Sequence, residues 1–404
     1  MYSLNRAWAE VNLDAIKHNL KEIRRITNKN AEICGVVKAD AYGHGFLEVA
    51  RTLIENGVTY LAVSMLDEAI QLRKQGINTP ILILSYTDPV RCDEIVLNGI
   101  TQTVFSYDLA KALSDAARRL NKNVKIHIKI DTGMGRVGFL TGYSSIKTII
   151  DICKLPNLIV EGIFTHFASA DEKDQTYTYM QFEKFMNICN ELKRVGIFIP
   201  IKHVCNSAGI MEFPHMHLDM VRPGIILYGL YPSDEVDKRK LNLIPAMTLK
   251  ANITLVKDVE YGTCISYGRI FKTLRKSKIA TIPIGYADGY LRTLTNKARV
   301  LINGQFAPIV GKICMDQCMA DVTDIVGDIR CGQQAVLIGE QGENSISIDE
   351  IAKDLGTVNY EVACVIGKRI PRFYVSNDKI YSVLNYLVEM DNYTERNIYG
   401  QHIQ

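Results

Sequence analysis

A chain of 404 residues has room for two or three domains and a large core. With 47% hydrophobic and 23% charged residues it reads as an ordinary globular protein, and 47 basic residues against 44 acidic ones leave no strong field for nucleic acid or an anionic membrane. No run of about 18 apolar residues is present and the N-terminus "MYSLNRAWAEVNLDAIKHNL" has no apolar core of signal-peptide length, so a cytoplasmic setting with reduced cysteines is expected.

From the N-terminus, short apolar runs alternate with longer amphipathic segments. The short runs are "EICGVVKA", "YLAVS", "PILILS", "TQTVFS", "VKIHIKID", "IVEGIFTH", "IKHVCN" and "LDMVRPG". Between them lie segments of helical spacing such as "LEVARTLIENG" and "LDEAIQLRKQG", each closed by a glycine that can cap a helix. Eight strands alternating with helices predict an α/β fold, a parallel (β/α)8 barrel of TIM type over residues 1–242, rather than a doubly wound sheet. Beyond Leu243 the runs "AMTLKANITLVKDV", "SKIATIPIG", "ARVLINGQFAPIVGKICM", "CMADVTDI" and "QAVLIGEQG" predict a C-terminal mainly-β domain over 243–388, with a hairpin turn at Asn303–Gly304. Residues 389–404 read as a polar tail.

In a barrel, chemistry gathers at the C-terminal ends of the strands. Those ends carry Lys38, Lys129, Asp131, Arg136, His166, Asn206, Ser207 and Arg222. Singly, each is explained as a wet strand end; several on one rim suggest a site. The loops after strands seven and eight supply the Ser207 hydroxyl and the backbone at Gly224–Ile225, a suitable cradle for phosphate. An amine beside a phosphate cradle suggests pyridoxal phosphate held as a Schiff base on Lys38. "GMGRVG" at Gly133–Gly138 matches a dinucleotide fingerprint, but the acid expected about 20 residues later is lacking at a strand end; Glu161 lies inside an apolar run. Cys314 and Cys318 lack zinc-ligand spacing, and "HMH" at His215–His217 has no partners, so no metal is expected.

"VVKADAYGHG", "KIDTGMGRVG", "THFASAD", "CNSAG", "MVRPGIILYG", "ISYG", "PIGYADG", "CMDQ" and "LGTVNYEV" together resemble bacterial alanine racemases, in order, from Lys38 to Val362. The resemblance implies an isomerase using pyridoxal 5'-phosphate to interconvert L- and D-alanine, supplying D-alanine for peptidoglycan. Lys38 then resembles the cofactor-bearing base and Tyr267 the second catalytic base, with His166 beside it. Tyr42, Ser207, Gly224, Ile225 and Tyr360 resemble the phosphate-binding set, and Arg222 the partner of the pyridine nitrogen. Arg136 and Met315 resemble substrate contacts, with Asp316 supporting them. Tyr286 resembles an entrance gate, and Lys129 a lysine often carbamylated in the family. The family also implies a homodimer whose sites are shared between subunits.

The chemistry suits these residues. Racemisation needs a proton taken from one face and returned on the other, most simply by two bases. A free tyrosine keeps its proton to about pH 10, so neighbours must favour the phenolate, and His166 and Arg222 are candidates. An arginine at the ring nitrogen keeps that nitrogen neutral and the electron sink weak. The related barrel decarboxylases carry glutamate there. A serine or broad-range racemase is the alternative. It is disfavoured by Tyr360, where serine racemases carry asparagine, and by Lys129, which broad-range enzymes tend to lack. A non-catalytic pyridoxal-phosphate-binding barrel would lack the second domain.

Overall fold

The computed structural model describes residues 6–388; the tail expected at 389–404 lies outside them. The described residues divide into two compact units, one from Ala15–Ala41 and Phe46–Pro245, the other from residues 6–14, Tyr42–Gly45 and 246–388.

The first strand, β1 (Ala7–Asn12), belongs to the second unit. Its partners are Met247–Asn252, antiparallel, and Arg372–Ser376, parallel. A barrel running from the first residue therefore does not describe the chain. "AWAEVN" becomes a strand only because segments more than 200 residues away flank it, a non-local pairing that no local pattern announces.

The first unit is the barrel. Its strands are β2 (Glu32–Val36), β3 (Tyr60–Val63), β4 (Ile81–Ile83), β5 (Thr101–Val104), β6 (Val124–Asp131), β7 (Leu158–Phe164), β8 (Ile201–His203) and β9 (Met220–Val221). Each pairs in parallel with the next from β2 to β8, and β9 pairs in parallel with β2. The ring is completed where Asp219 N donates to Lys202 O at 3.1 Å and Arg222 N to Cys205 O at 3.0 Å. Helices Phe46–Glu55 and Leu66–Lys74 follow β2 and β3, and Gly57 and Gly76, both at positive φ, end them. The strands are buried because helices cover them; Leu61, Leu82, Ile126 and Ile128 are fully enclosed.

The second unit is mainly β. An eight-stranded sheet has β1 near its middle, and Leu249, Leu301, Val336 and Trp8 are buried in this unit. The Asn303–Gly304 hairpin joins Arg299–Ile302 to Gln305–Pro308, with both turn residues at positive φ, as a two-residue turn of the primed kind requires. A second hairpin, Arg372–Ser376 with Lys379–Leu384, turns at Asn377–Asp378. Among the described residues no helix is long and apolar enough to cross a membrane.

Candidate active site

The C-terminal rim of the barrel is built around Arg222. Its side chain is buried, and Nη1 donates to His203 Nδ1 at 2.6 Å. Nη2 donates to Thr165 O at 2.9 Å and Val204 O at 3.0 Å, and lies 3.4 Å from His166 Nδ1. None of these partners is an acid. Burial holds His166 well below its ordinary value, and Arg222, Arg136, Lys129 and Lys38 press in the same direction. Lys129 Nζ donates to Ile130 O at 2.7 Å and lies 5.5 Å from the Phe164 ring centre. Burial, then Arg222, brings its amine down to about 7, against the opposing pull of Asp131. The rim thus concentrates positive charge around His166, with Asp131 as an opposing acid.

Lys38 lies two residues past the end of β2, and the backbone after it is unusual. Ala39, Asp40, Ala41 and Tyr42 all stand at φ between 51° and 56°, a left-handed turn built without glycine. Each such residue costs roughly 1 kcal/mol or more, so the surroundings must hold it. Glu68 Oε1 accepts from Ala39 N at 2.6 Å while its other oxygen accepts from Ser64 N at 2.7 Å. Asp40 Oδ1 accepts from Phe46 N at 3.0 Å, tying the turn to the next helix. Strain held in this way is typical of functional positions.

Ser207 opens the short helix Ser207–Glu212, capped by Asn206, whose Oδ1 accepts from Gly209 N at 2.9 Å. Ser207 Oγ accepts from Gly224 N at 2.9 Å, which joins the ends of strands β8 and β9 and places Ile225 beside them. Arg136 stands exposed on the loop Gly133–Gly138. That loop is not a phosphate cradle: Asp131 Oδ1 accepts from Gly133 N at 3.0 Å and Gly135 N at 3.1 Å. The amides a dinucleotide would need are occupied by a carboxylate. His217 is likewise engaged on both ring nitrogens by backbone, with Asn28 N and Ile210 O each at 3.0 Å.

The remaining candidates lie in the second unit. Tyr267 sits on a short turn after Ser266 and lines one recess of about 760 Å³ together with Cys314, Met315, Asp316 and Gln317. Tyr267 is 70% exposed and Met315 53%. Tyr286 N donates to Cys314 O at 3.1 Å, and Ala287 N to Met315 O at 3.0 Å, which lashes the Tyr286 turn to the Met315 backbone. Buried Asp288 braces that turn, accepting from Gly285 N at 3.1 Å and pairing with Arg6. Asp316 pairs with Arg369 at 2.7 Å. Tyr42 and Tyr360 stand with ring centres 6.1 Å apart, and burial pushes the Tyr42 phenol up, so it remains an O–H donor.

The structure therefore gathers Lys38, Lys129, Arg136, His166, Ser207, Arg222, Gly224 and Ile225 in the barrel unit. Tyr267, Met315 and Asp316 share a recess in the other. Sequence reasoning missed Glu68, His127, Glu161 and His203. The available signal was polarity at alternate positions of strands that are otherwise apolar, as in "VKIHIKID".

Residues 11–232 match the family described as alanine racemase, N-terminal domain, and residues 246–374 match alanine racemase, C-terminal domain. The chain is 52% identical to alanine racemase 1 of Clostridium acetobutylicum over 380 residues, which cover 94% of this chain and 98% of that one. It is also 52% identical to the alanine racemase of Clostridium novyi over 384 residues, 95% of this chain and 99% of that one. The solved alanine racemase of Clostridium difficile 630 superposes with a TM-score of 0.92 at 46% identity, covering 95% of this chain and 100% of that one.

Proposed function

The chain belongs to the alanine racemase family, and on that premise we propose that it interconverts L- and D-alanine with pyridoxal 5'-phosphate, in the cytoplasm and as a homodimer. The product would supply D-alanine for peptidoglycan. The observation that carries the reading is the charge at the barrel rim. Lys38, Lys129, Arg136 and Arg222 all bear on His166, and Asp131, an acid on the same rim, is turned to the loop amides of Gly133 and Gly135. A phosphorylated guest fits such a rim.

The residues present fit that cofactor. Lys38 offers the amine for covalent attachment. Ser207, whose oxygen accepts from Gly224 N, has its hydroxyl hydrogen to offer an anion; Gly224 would hold that hydroxyl in place, and Ile225, Tyr42 and Tyr360 would complete the phosphate set. Arg222 serves the ring nitrogen as a donor only. When bound, pyridoxal phosphate supplies the electron-withdrawing ring that makes an amino acid's α-proton removable.

Lys38 and Tyr267 then act as the two bases, one on each face. His166 is neutral, and its Nδ1 faces Arg222, so its proton sits on Nε2, where it can steady a phenolate. Arg136 and the Met315 backbone hold the substrate carboxylate, Asp316 supports that contact through its tie to Arg369, and Tyr286 narrows the entrance. Lys129, with its amine at about 7, has a neutral form that can add carbon dioxide and lose an N–H proton to water, giving a carbamate anion that pairs with Arg136. A serine or broad-range racemase is the second reading. Chiral chromatography of the purified holoenzyme with alanine, serine and lysine decides between them. Racemisation of alanine well ahead of the others is expected; no racemisation of any of them would refute the enzyme reading.

A further inference from the structure

The barrel interior holds a column of polar groups that the reaction above does not use. We infer that Glu161, His127 and His203 form a one-way hydrogen-bond relay that positions Arg222 from the opposite end of the barrel.

Donor and acceptor chemistry leaves the relay a single arrangement. Arg222 Nη1 can only donate, and it lies 2.6 Å from His203 Nδ1, so that nitrogen carries no proton. Burial, then Arg222, holds His203 neutral, and its one proton is therefore on Nε2. His203 Nε2 lies 2.9 Å from His127 Nδ1, which must accept. Burial keeps His127 neutral too, although Glu161 pulls the other way, and its proton is on Nε2. That buried Nε2 has no hydrogen bond of ordinary length, and it faces Glu161 Oε2 at 3.5 Å. Burial alone would raise the Glu161 carboxyl, but the facing His127 ring and the bonds from Lys125 and Tyr60 outweigh it and hold the group at about 2. A guanidinium at the rim and a carboxylate at the floor are thus joined through two imidazoles whose N–H bonds all point to the floor. Were either imidazole the other tautomer, two donors would meet along the chain.

The backbone is shaped for this column. The pairing of β6 with β7 steps from Ile126↔Val160 to His127↔Gly162, so Glu161 is the extra residue of a bulge. A bulge re-aims a side chain; here it reaches Tyr60 Oη at 2.8 Å and the Lys125 ammonium. At Gly162 a Cβ would come within 2.5 Å of the His127 ring, so only glycine leaves the ring its place. Phe164 stacks on His203 at 4.6 Å and 6°, which fixes the imidazole plane. Tyr60, buried and kept a phenol, also meets Thr101 Oγ1 at 2.7 Å.

The task given to Arg222 rests on the proposed function, but the relay can be read without turnover. Neutron diffraction of the deuterated holoenzyme near neutral pH should show deuterium on Nε2 of both His127 and His203 and none on either Nδ1. Deuterium on either Nδ1, or a doubly protonated ring, would overturn the relay. In solution, Glu161→Gln should lower kcat by about tenfold or more, the effect of weakening one charge-assisted hydrogen bond. KM for alanine should stay within about twofold, since no relay residue touches substrate, and cofactor content should be unchanged. His127→Asn provides the same readout should the glutamine variant fail to fold. An unchanged kcat in a folded, cofactor-loaded variant would overturn the positioning role. A wild-type holoenzyme that racemises nothing would fail the functional reading alone, and the deuterium positions would still decide the relay.

Discussion

Lys129 shows how one buried amine can carry both chemistry and a stability cost. Its ammonium is buried beside Arg222, and its pKa falls from 10.5 to about 7. Above about pH 10.5 the amine is neutral whether the chain is folded or not; below about 7 it is charged in both states and the fold bears the full cost. Between those values the unfolded chain binds the extra proton, so this group makes stability rise with pH. Lys129→Met should therefore stabilise the protein at pH 6 by a few kcal/mol, on the order expected for burying a charge, and by little at pH 10.5. Chemical denaturation in carbon-dioxide-free buffer at both values measures this; equal gains would show that burial of charge is not the cause. Bicarbonate should stabilise the wild type at neutral pH and leave the variant unmoved. Tyr360 is the residue that bears on substrate choice. Tyr360→Asn removes a ring beside Tyr42 and adds an amide, so serine turnover should rise relative to alanine. An unchanged ratio, measured by chiral chromatography, would remove Tyr360 from the pocket.

Among the elements, the eight barrel strands were legible because each is a short apolar run between helical periods, and that signal is local. What was not legible depends on contacts far along the chain. Ala7–Asn12 is a strand because Met247–Asn252 and Arg372–Ser376 flank it. In Ala-Asp-Ala-Tyr only the aspartate tolerates a left-handed turn; Glu68, from another helix, and Asp40 itself hold it through backbone amides. Glu161, set aside for lying inside an apolar run, turns inward through a bulge that single-sequence periodicity does not record. The rim residues Lys38, Arg222 and Ser207 are visible because they follow apolar strand runs, whereas His127 and His203 lie within such runs and mark no strand end. The loop after β6 offers a test at this scale. Gly138 stands at φ +137°, and a Cβ there would lie 2.5 Å from Asp131 N and 2.8 Å from Ile130 C. Backbone cannot yield as a side-chain tip does. Gly138→Ala should cost about 2–4 kcal/mol of stability and lower alanine turnover by displacing the Arg136 loop. A melting temperature equal to wild type would show that the loop is looser than its contacts indicate.

At the scale of the whole molecule, the two proposed bases lie in separate units of the chain, Lys38 in the barrel and Tyr267 in the mainly-β unit, where Tyr267 stands 70% exposed. A base so open to water is poorly placed for proton transfer on its own. A second copy of the chain can cover it, and a two-fold pairing would repeat that contact and build two equivalent sites. Complementation tests this arrangement. Lys38→Ala and Tyr267→Phe should each be nearly inactive alone, because each strips one base from every site. When the two variants are mixed, gently dissociated and allowed to reassociate, a mixed dimer places both damaged residues in one site and both intact residues in the other. Random pairing makes about half the dimers mixed, with half their sites whole, so activity should recover to about a quarter of wild type. If Tyr267 instead serves the barrel of its own chain, every site in every dimer keeps a damaged base. Activity indistinguishable from zero, in a sample whose mixed dimers are demonstrated by mass, would rule out the shared site.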